Sequence, residues 1–216
     1  MLAFANRLQD TRILLGSGSP RRQQLLGQMG LKFEVKVSGF AEDLDKKDFA
    51  TAAGYVSKTS ELKAKYIVES LDKPDDIDLI ICADTVVVIP DEPWKILEKP
   101  SNKEEAREMI QSLSHRSHEV ITAVTLVLPK LSKECKVFTE TTTVYFSRLS
   151  QEEIETYIST EEPYDKAGGY GIQGTAGLFV ERIDGCYYNV MGFPINRISR
   201  EIYSLIQSNK LTIQQA

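Results

Sequence analysis

The chain is poor in the residues that build metal and redox centres: its 216 residues include three cysteines and two histidines. Cys82, Cys135 and Cys186 are odd in number, far apart and free of any C-x-x-C spacing, which argues against a disulfide framework or a zinc site and favours buried reduced thiols. His115 and His118 fall together in "SHRSHE", too few for a histidine-rich metal cluster, and are expected as solvated residues on a loop or strand start. Long apolar runs are missing as well. "MLAFANRLQDTR" has neither the basic stretch nor the sustained apolar segment of a secretory signal or a membrane span, so a cytoplasmic protein without membrane contact is expected. No repeat, low-complexity tract or Pro/Gly-rich linker divides the chain. One domain over residues 1–216 is therefore expected, with its core over about 12–207. Nor is there an excess of positive charge. The formal net charge of -5 disfavours nucleic acid as a partner, and any anion bound here has to meet a local basic pocket.

The remaining composition, 42% hydrophobic and 26% charged, is that of an ordinary globular fold. "RILL" (12–15) reads as a short strand, and Pro20 suits the first turn of a helix for which Ser19 is the available N-cap. "LKFEVKV" (31–37) alternates as a half-buried strand does, and an acidic loop follows over residues 39–48. Residues 49–71 carry apolar side chains at helical spacing, with Lys63 on the same inward stripe. "LIICA" (79–83) is a continuous apolar run, expected as a central strand that ends at Asp84. A hairpin is expected around Pro90–Pro93, a helix over 102–113, strands over 120–128 and 136–146, and a helix from Ser150 opened by a Ser-x-x-Glu capping box. Strands around "LFVERI" and "CYYNV" and a helix from Pro194 to about Gln207 complete a mixed α/β pattern.

"GSGSPRR" (16–22) follows a strand and opens a helix, but it lacks the third glycine of G-x-G-x-x-G and the G-K-[ST] of a P-loop. It does offer helix N–H groups, the Ser17 and Ser19 hydroxyls and two guanidinium groups, Arg21 and Arg22, all suited to phosphate oxygens. Solvation of the first turn is the competing reading, weakened because cations are unfavourable at a helix N-terminus. Asp84 is a candidate general base or metal ligand, or else a turn residue bonding its own backbone. Glu42 and Asp43 are hard oxygen donors of the kind Mg²⁺ prefers, or a solvated acidic loop. Lys63, inward-facing, is a candidate phosphate contact, whereas Lys99 in "LEKP" could be one or a plain surface residue. "DKAGGYGIQGTAG" (165–177) is glycine-rich and carries Asp165, Lys166 and Gln173, which favours a ligand loop over a hairpin tip.

Together, "SGSPRRQQLL", "ADT" (83–85), "EKP" (98–100), "EPYDKAGGYGIQG" (162–174) and "NVMGFP" (189–194) resemble, in order and spacing, the Maf family of nucleoside triphosphate pyrophosphatases. The resemblance runs from about Leu14 to Ile206. It implies an elongated mixed β-sheet flanked by helices, with two lobes around a central cleft as in inosine triphosphatase, and a homodimer. It implies that Asp84 accepts the proton of the attacking water, and that Mg²⁺ or another divalent cation is held by Glu42 and Asp84, with Asp43 as the competing carboxylate. The nucleoside triphosphate would be held by Ser17, Ser19, Arg21, Arg22, Lys63, Thr85, Lys99, Lys166 and Gln173. Arg21, Thr85 and Gln173 match the positions that mark the branch acting on dTTP and UTP, where a 7-methyl-GTP branch replaces the first of them with an aromatic residue. Modified pyrimidine nucleotides are further substrates implied in the same way, in a nucleotide-pool housecleaning role. Some relatives are fused to a methyltransferase-like domain, for which 216 residues leave no room. The alternatives are a non-catalytic nucleotide-binding regulator of cell division and a pyrophosphatase for non-standard purine triphosphates.

Overall fold

A computed structural model describes residues 6–91 and 93–211. The expected hairpin tip includes Glu92, which lies outside the described residues, as do both ends of the chain. In chain order the elements are β1 (Ile13–Leu15), α1 (Pro20–Gln28), β2 (Glu34–Val35), α2 (Ala52–Glu69), β3 (Leu79–Ile89), β4 (Lys95–Leu97) and α3 (Lys103–Leu113). They continue with β5 (Ser117–Leu128), β6 (Ser132–Phe146), α4 (Gln151–Ile158), β7 (Val180–Asp184), α5 (Tyr187–Val190) and α6 (Ile195–Gln207). The architecture is α/β, a mixed sheet of order β2-β1-β3-β5-β6-β7 with β4 added to β3.

Period-2 alternation along β3 explains the layering. Ile80, Cys82, Val86 and Val88 face α2, whereas Leu79, Ile81 and Ala83 face a core built with α1 and α6. Further along that second face, Val87 and Ile89 join a separate core with α3 and α4. Two lobes therefore share one side of the sheet, and they part at Thr85, between Ala83 and Val87. The strand does not end at Asp84 as expected; it runs on to Ile89. What ends there is its pairing. β5 accompanies β3 from Ile80 to Val88, while the other edge pairs with β1 over Leu79–Ile81 and with β4 over Val87–Ile89. Between those two partners, around Ala83–Thr85, no strand among the described residues lies beside the edge of β3.

Three further expectations, on element boundaries and type, need correction. The alternating segment 31–37 yields a strand only at Glu34 and Val35, both exposed at the sheet edge beside β1. "CYYNV" forms α5 rather than a strand, with Asn189 buried beneath it and bonded to Val120 O at 2.9 Å and Thr142 Oγ1 at 3.0 Å. α2 begins at Ala52, not at Phe49, because the Thr51 hydroxyl accepts from Gly54 N at 3.0 Å and so fixes the cap. The capping box at Ser150 and Glu153 is present with both of its bonds.

Of the two histidines, His115 is exposed in a turn as expected, and His118 is misplaced by the sequence reading. His118 is not solvated: it is fully buried on β5, edge-on to Phe146 and Tyr170, with Nε2 2.7 Å from the Tyr170 hydroxyl. Burial, and after it the Arg116 charge, pushes its pKa down to about 3 from 6.5. The fold thus favours the neutral ring, and the unfolded chain takes up the proton first. The contribution is complete above about pH 6.5 and is lost as the pH falls toward 3. At about 1.4 kcal/mol per pH unit, acidification from about pH 7.5 to 4.5 should remove roughly 2–3 kcal/mol through this residue. Urea unfolding at the two pH values checks this: His118→Gln, which does not titrate, should lose measurably less stability than wild type, and parallel losses would refute the assignment.

Candidate active site

A cleft of about 730 Å³ opens at the unpaired stretch of β3. Asp84 and Thr85 are adjacent there, so the pleat sends them to opposite faces. Asp84 meets α2: Lys63 Nζ donates to Asp84 Oδ1 at 2.7 Å and lies 2.8 Å from Glu42 Oε2. This accounts for a lysine on the inward stripe, whose ammonium does not snorkel to solvent but bridges two carboxylates with 11% of its side chain exposed. Asp84 is similarly sheltered at 13%, and its Oδ2 has no protein partner among the described residues.

Thr85 meets Arg22 on the other face. The Arg22 guanidinium donates from Nε to Gly192 O at 3.0 Å, from Nη1 to Ala83 O at 2.7 Å and Ser17 Oγ at 3.3 Å, and from Nη2 to Thr85 Oγ1 at 2.9 Å. Four of its five N–H donors thereby go to protein acceptors. One of these, the Ala83 carbonyl, sits on the edge of β3 that lacks a strand. Loss of hydration pulls Arg22 below the usual arginine range, against the raising influence of Asp84 and Glu42. Gly192 closes the group with φ +89, where an added Cβ would stand 3.1 Å from Thr85 Oγ1.

Ser19 occupies the N-cap position of α1, but its hydroxyl makes no cap bond, unlike Thr51, Asn102 and Ser150 on their helices. The Ser17 hydroxyl turns inward instead and accepts from Ser19 N at 3.3 Å. Arg21 reaches across toward the glycine-rich loop, its Nη2 3.9 Å from Asp165 Oδ2. Lys166 contacts Asp165 Oδ1 and donates to the Glu162 carbonyl at 2.7 Å. Lys99 and Gln173 are exposed and line the cleft. Glu42 also lines it and Asp43 does not.

Eleven of the sequence-derived positions thus line one cleft, all but the competing carboxylate Asp43, with Arg22 engaged in holding its walls together. Sequence reasoning assigned no role to Tyr55, Glu98 or Glu162. The Tyr55 hydroxyl lies 3.4 Å from Glu98 Oε1, which Lys46 contacts at 2.9 Å, tying the acidic loop to the loop that carries Lys99. Tyr55 falls two turns before Lys63 on the buried stripe, which was the available signal.

A group of three or more metal-type side chains is absent among the described residues. Glu42 and Asp84 nevertheless converge on a single cationic nitrogen. Two hard carboxylates so placed are of the donor type that would hold a Mg²⁺ ion.

A family model described as Maf-like protein matches residues 12–205. A dTTP/UTP pyrophosphatase of Exiguobacterium sibiricum is 45% identical over 190 residues, 88% of this chain and 90% of that protein. A probable bifunctional dTTP/UTP pyrophosphatase/methyltransferase protein of Homo sapiens is 42% identical over 206 residues, 92% of this chain; the chain spans 33% of its length. Among solved structures, a HAM1 protein from Coxiella burnetii is similar over 90% of this chain and 99% of its own, at 13% identity and a TM-score of 0.49.

Proposed function

The chain belongs to the Maf family, and on that premise we propose that it is a nucleoside triphosphate pyrophosphatase acting on dTTP and UTP, the activity named for its 45% identical bacterial relative. The observation that carries this reading is the convergence on one cleft of a sheltered carboxylate, Asp84, with cations from three separate segments, Arg21, Lys99 and Lys166.

Asp84 accepts the proton of a water through its unpartnered Oδ2, and the water oxygen attacks the α-phosphorus. The bond from that phosphorus to the α–β bridging oxygen breaks, giving the nucleoside monophosphate and pyrophosphate. Negative charge grows on the departing pyrophosphate, and fixed cations with the uncapped N–H groups of α1 stabilise it without reorganising. Glu42 and Asp84 are the residues to hold Mg²⁺, which supplies charge neutralisation on the triphosphate when bound. Lys63 orients Asp84 through its bond to Oδ1. Thr85, held by Arg22 and 3.0 Å from Thr122 Oγ1, and Gln173, which also lines the cleft, discriminate the base in this reading. The reading also carries a homodimer, supported by the family resemblance, and action in the cytoplasm. No helix among the described residues is long and apolar enough to cross a membrane.

Pyrophosphate release with Mg²⁺ across dTTP, UTP, CTP, modified pyrimidine triphosphates, 7-methyl-GTP and inosine triphosphate tests the proposal. Preference for dTTP and UTP is the expected result. A preference for inosine triphosphate would move the assignment to non-standard purines, and nucleotide binding without turnover would move it to a non-catalytic regulator.

A further inference from the structure

Gln173 reaches the cleft from an irregular segment, and irregular backbone holds a side chain in place only where something fixes it. Three short 3-10 turns make up the loop, over Glu162–Asp165, Ala167–Gly169 and Thr175–Phe179. Glu162 touches it on both sides of Gln173. Its carboxylate accepts from Thr175 N at 2.8 Å (Oε2) and Ala176 N at 3.3 Å (Oε1), capping the third turn immediately after Gln173 and Gly174. Its backbone carbonyl accepts from Lys166 Nζ at 2.7 Å. The Tyr157 hydroxyl adds a third tie from α4, 3.1 Å from Gly169 O and 3.4 Å from Glu162 Oε1. No ion pair to Glu162 occurs among the described residues, so its charge is directed at backbone amides, where a charged acceptor makes the stronger kind of hydrogen bond.

Gly174 is matched to this arrangement. Its φ of -96 is open to any residue, so backbone conformation does not demand glycine. An added Cβ, however, would lie 2.2 Å from Glu162 Oε1. A side chain at this position would push the carboxylate away from the amides it caps.

We infer that Glu162 is a positioning residue for substrate recognition: its carboxylate locks the 173–176 segment so that Gln173 is presented to the nucleotide, while its carbonyl fixes Lys166 beside Arg21. The inference rests on the proposed pyrophosphatase reading, in which Gln173 contacts substrate.

A double-mutant cycle separates positioning from a purely structural effect. Glu162→Ala should lower kcat/KM for UTP about tenfold to a hundredfold, chiefly through KM, as expected when a binding group is displaced by about 1 Å. In a Gln173→Ala background the same change should cost no more than about threefold, because the group being positioned is already gone. Glu162→Gln, which keeps an acceptor oxygen, should recover a good part of the loss. Gly174→Ala, which displaces the carboxylate without removing it, should show the same coupling to Gln173 and serves if Glu162→Ala fails to fold. The cycle is run in parallel on binding of α,β-imido-UTP by calorimetry. A wild-type protein that binds this analogue but releases no pyrophosphate would end the catalytic reading while the coupling still decides the role of Glu162. Equal costs of Glu162→Ala in both backgrounds, wild-type affinity in the single variant, or no binding by wild type would each overturn the inference.

Discussion

Asp84→Asn is expected to lower kcat for dTTP and UTP about a thousandfold while changing KM by less than about threefold, within the 10²–10⁴-fold range that a positioned general base contributes. The substitution keeps the shape of the side chain and leaves an amide oxygen to accept from Lys63, whose donor now lies 2.7 Å from Asp84 Oδ1. What it removes is the carboxylate Oδ2, which has no protein partner among the described residues. Because Asp84 packs between β3 and α2 with little exposure, the control is the melting temperature, which should stay within a few degrees of wild type. Glu42→Gln makes the informative comparison. Glu42 is more than half exposed and contacts the Lys63 ammonium, so its loss should weaken the dependence on Mg²⁺ without abolishing turnover. Single-turnover pyrophosphate release measured at several Mg²⁺ concentrations separates the two effects. Asp84→Asn turnover within tenfold of wild type would take the base away from Asp84.

The legibility of this site in the sequence divides along physical lines. Groups whose surroundings are local were readable: the capping box at Ser150 and Glu153, Pro20 at the start of α1, and Lys63 out of place on an apolar stripe. The partner of Lys63 was not readable, because Glu42 and Asp84 reach it from an acidic loop and a strand brought together only by the packing of α2 on β3. Asp84 was expected at a strand terminus because the apolar run stops there. The chain in fact stays extended, and the polar residues mark where β1 gives way to β4 along one edge. A sequence carries its own hydrophobic pattern but not the lengths of the strands that will lie beside it. His118 failed for the same reason: its partners Phe146 and Tyr170 come from β6 and the glycine-rich loop, and three separated segments make a polar residue a core residue. The adjacent pair Arg21 and Arg22 showed two guanidinium groups at a helix start, but not that one would turn inward to the sheet and the other outward to the loop.

That division between neighbours makes Arg22 the most sensitive residue outside the chemistry. The Ala83 carbonyl is on an edge without a strand, the Gly192 carbonyl is in a left-handed turn, and the Thr85 hydroxyl stands where the two lobes part. One planar fork reaches all three, which the single nitrogen of a lysine cannot do. Arg22→Met orphans those acceptors at about 1 kcal/mol or more each, so a destabilisation of about 3 kcal/mol is expected. For a chain of this size that corresponds to a fall in Tm of about 6–12 °C. Arg22→Lys keeps the charge and loses the fork; it should retain part of that stability while kcat/KM falls about a hundredfold, since Thr85 and the start of α1 lose their common anchor. Arg21→Lys, at a half-buried arginine lining the cleft with no bond to backbone among the described residues, should leave Tm unchanged and raise KM. Thermal melts and pyrophosphate affinity measured on the three variants distinguish a clamp from a phosphate ligand. If Arg22→Lys melts like wild type and loses only affinity for pyrophosphate, Arg22 binds the triphosphate directly and the lobes are held together by their cores alone.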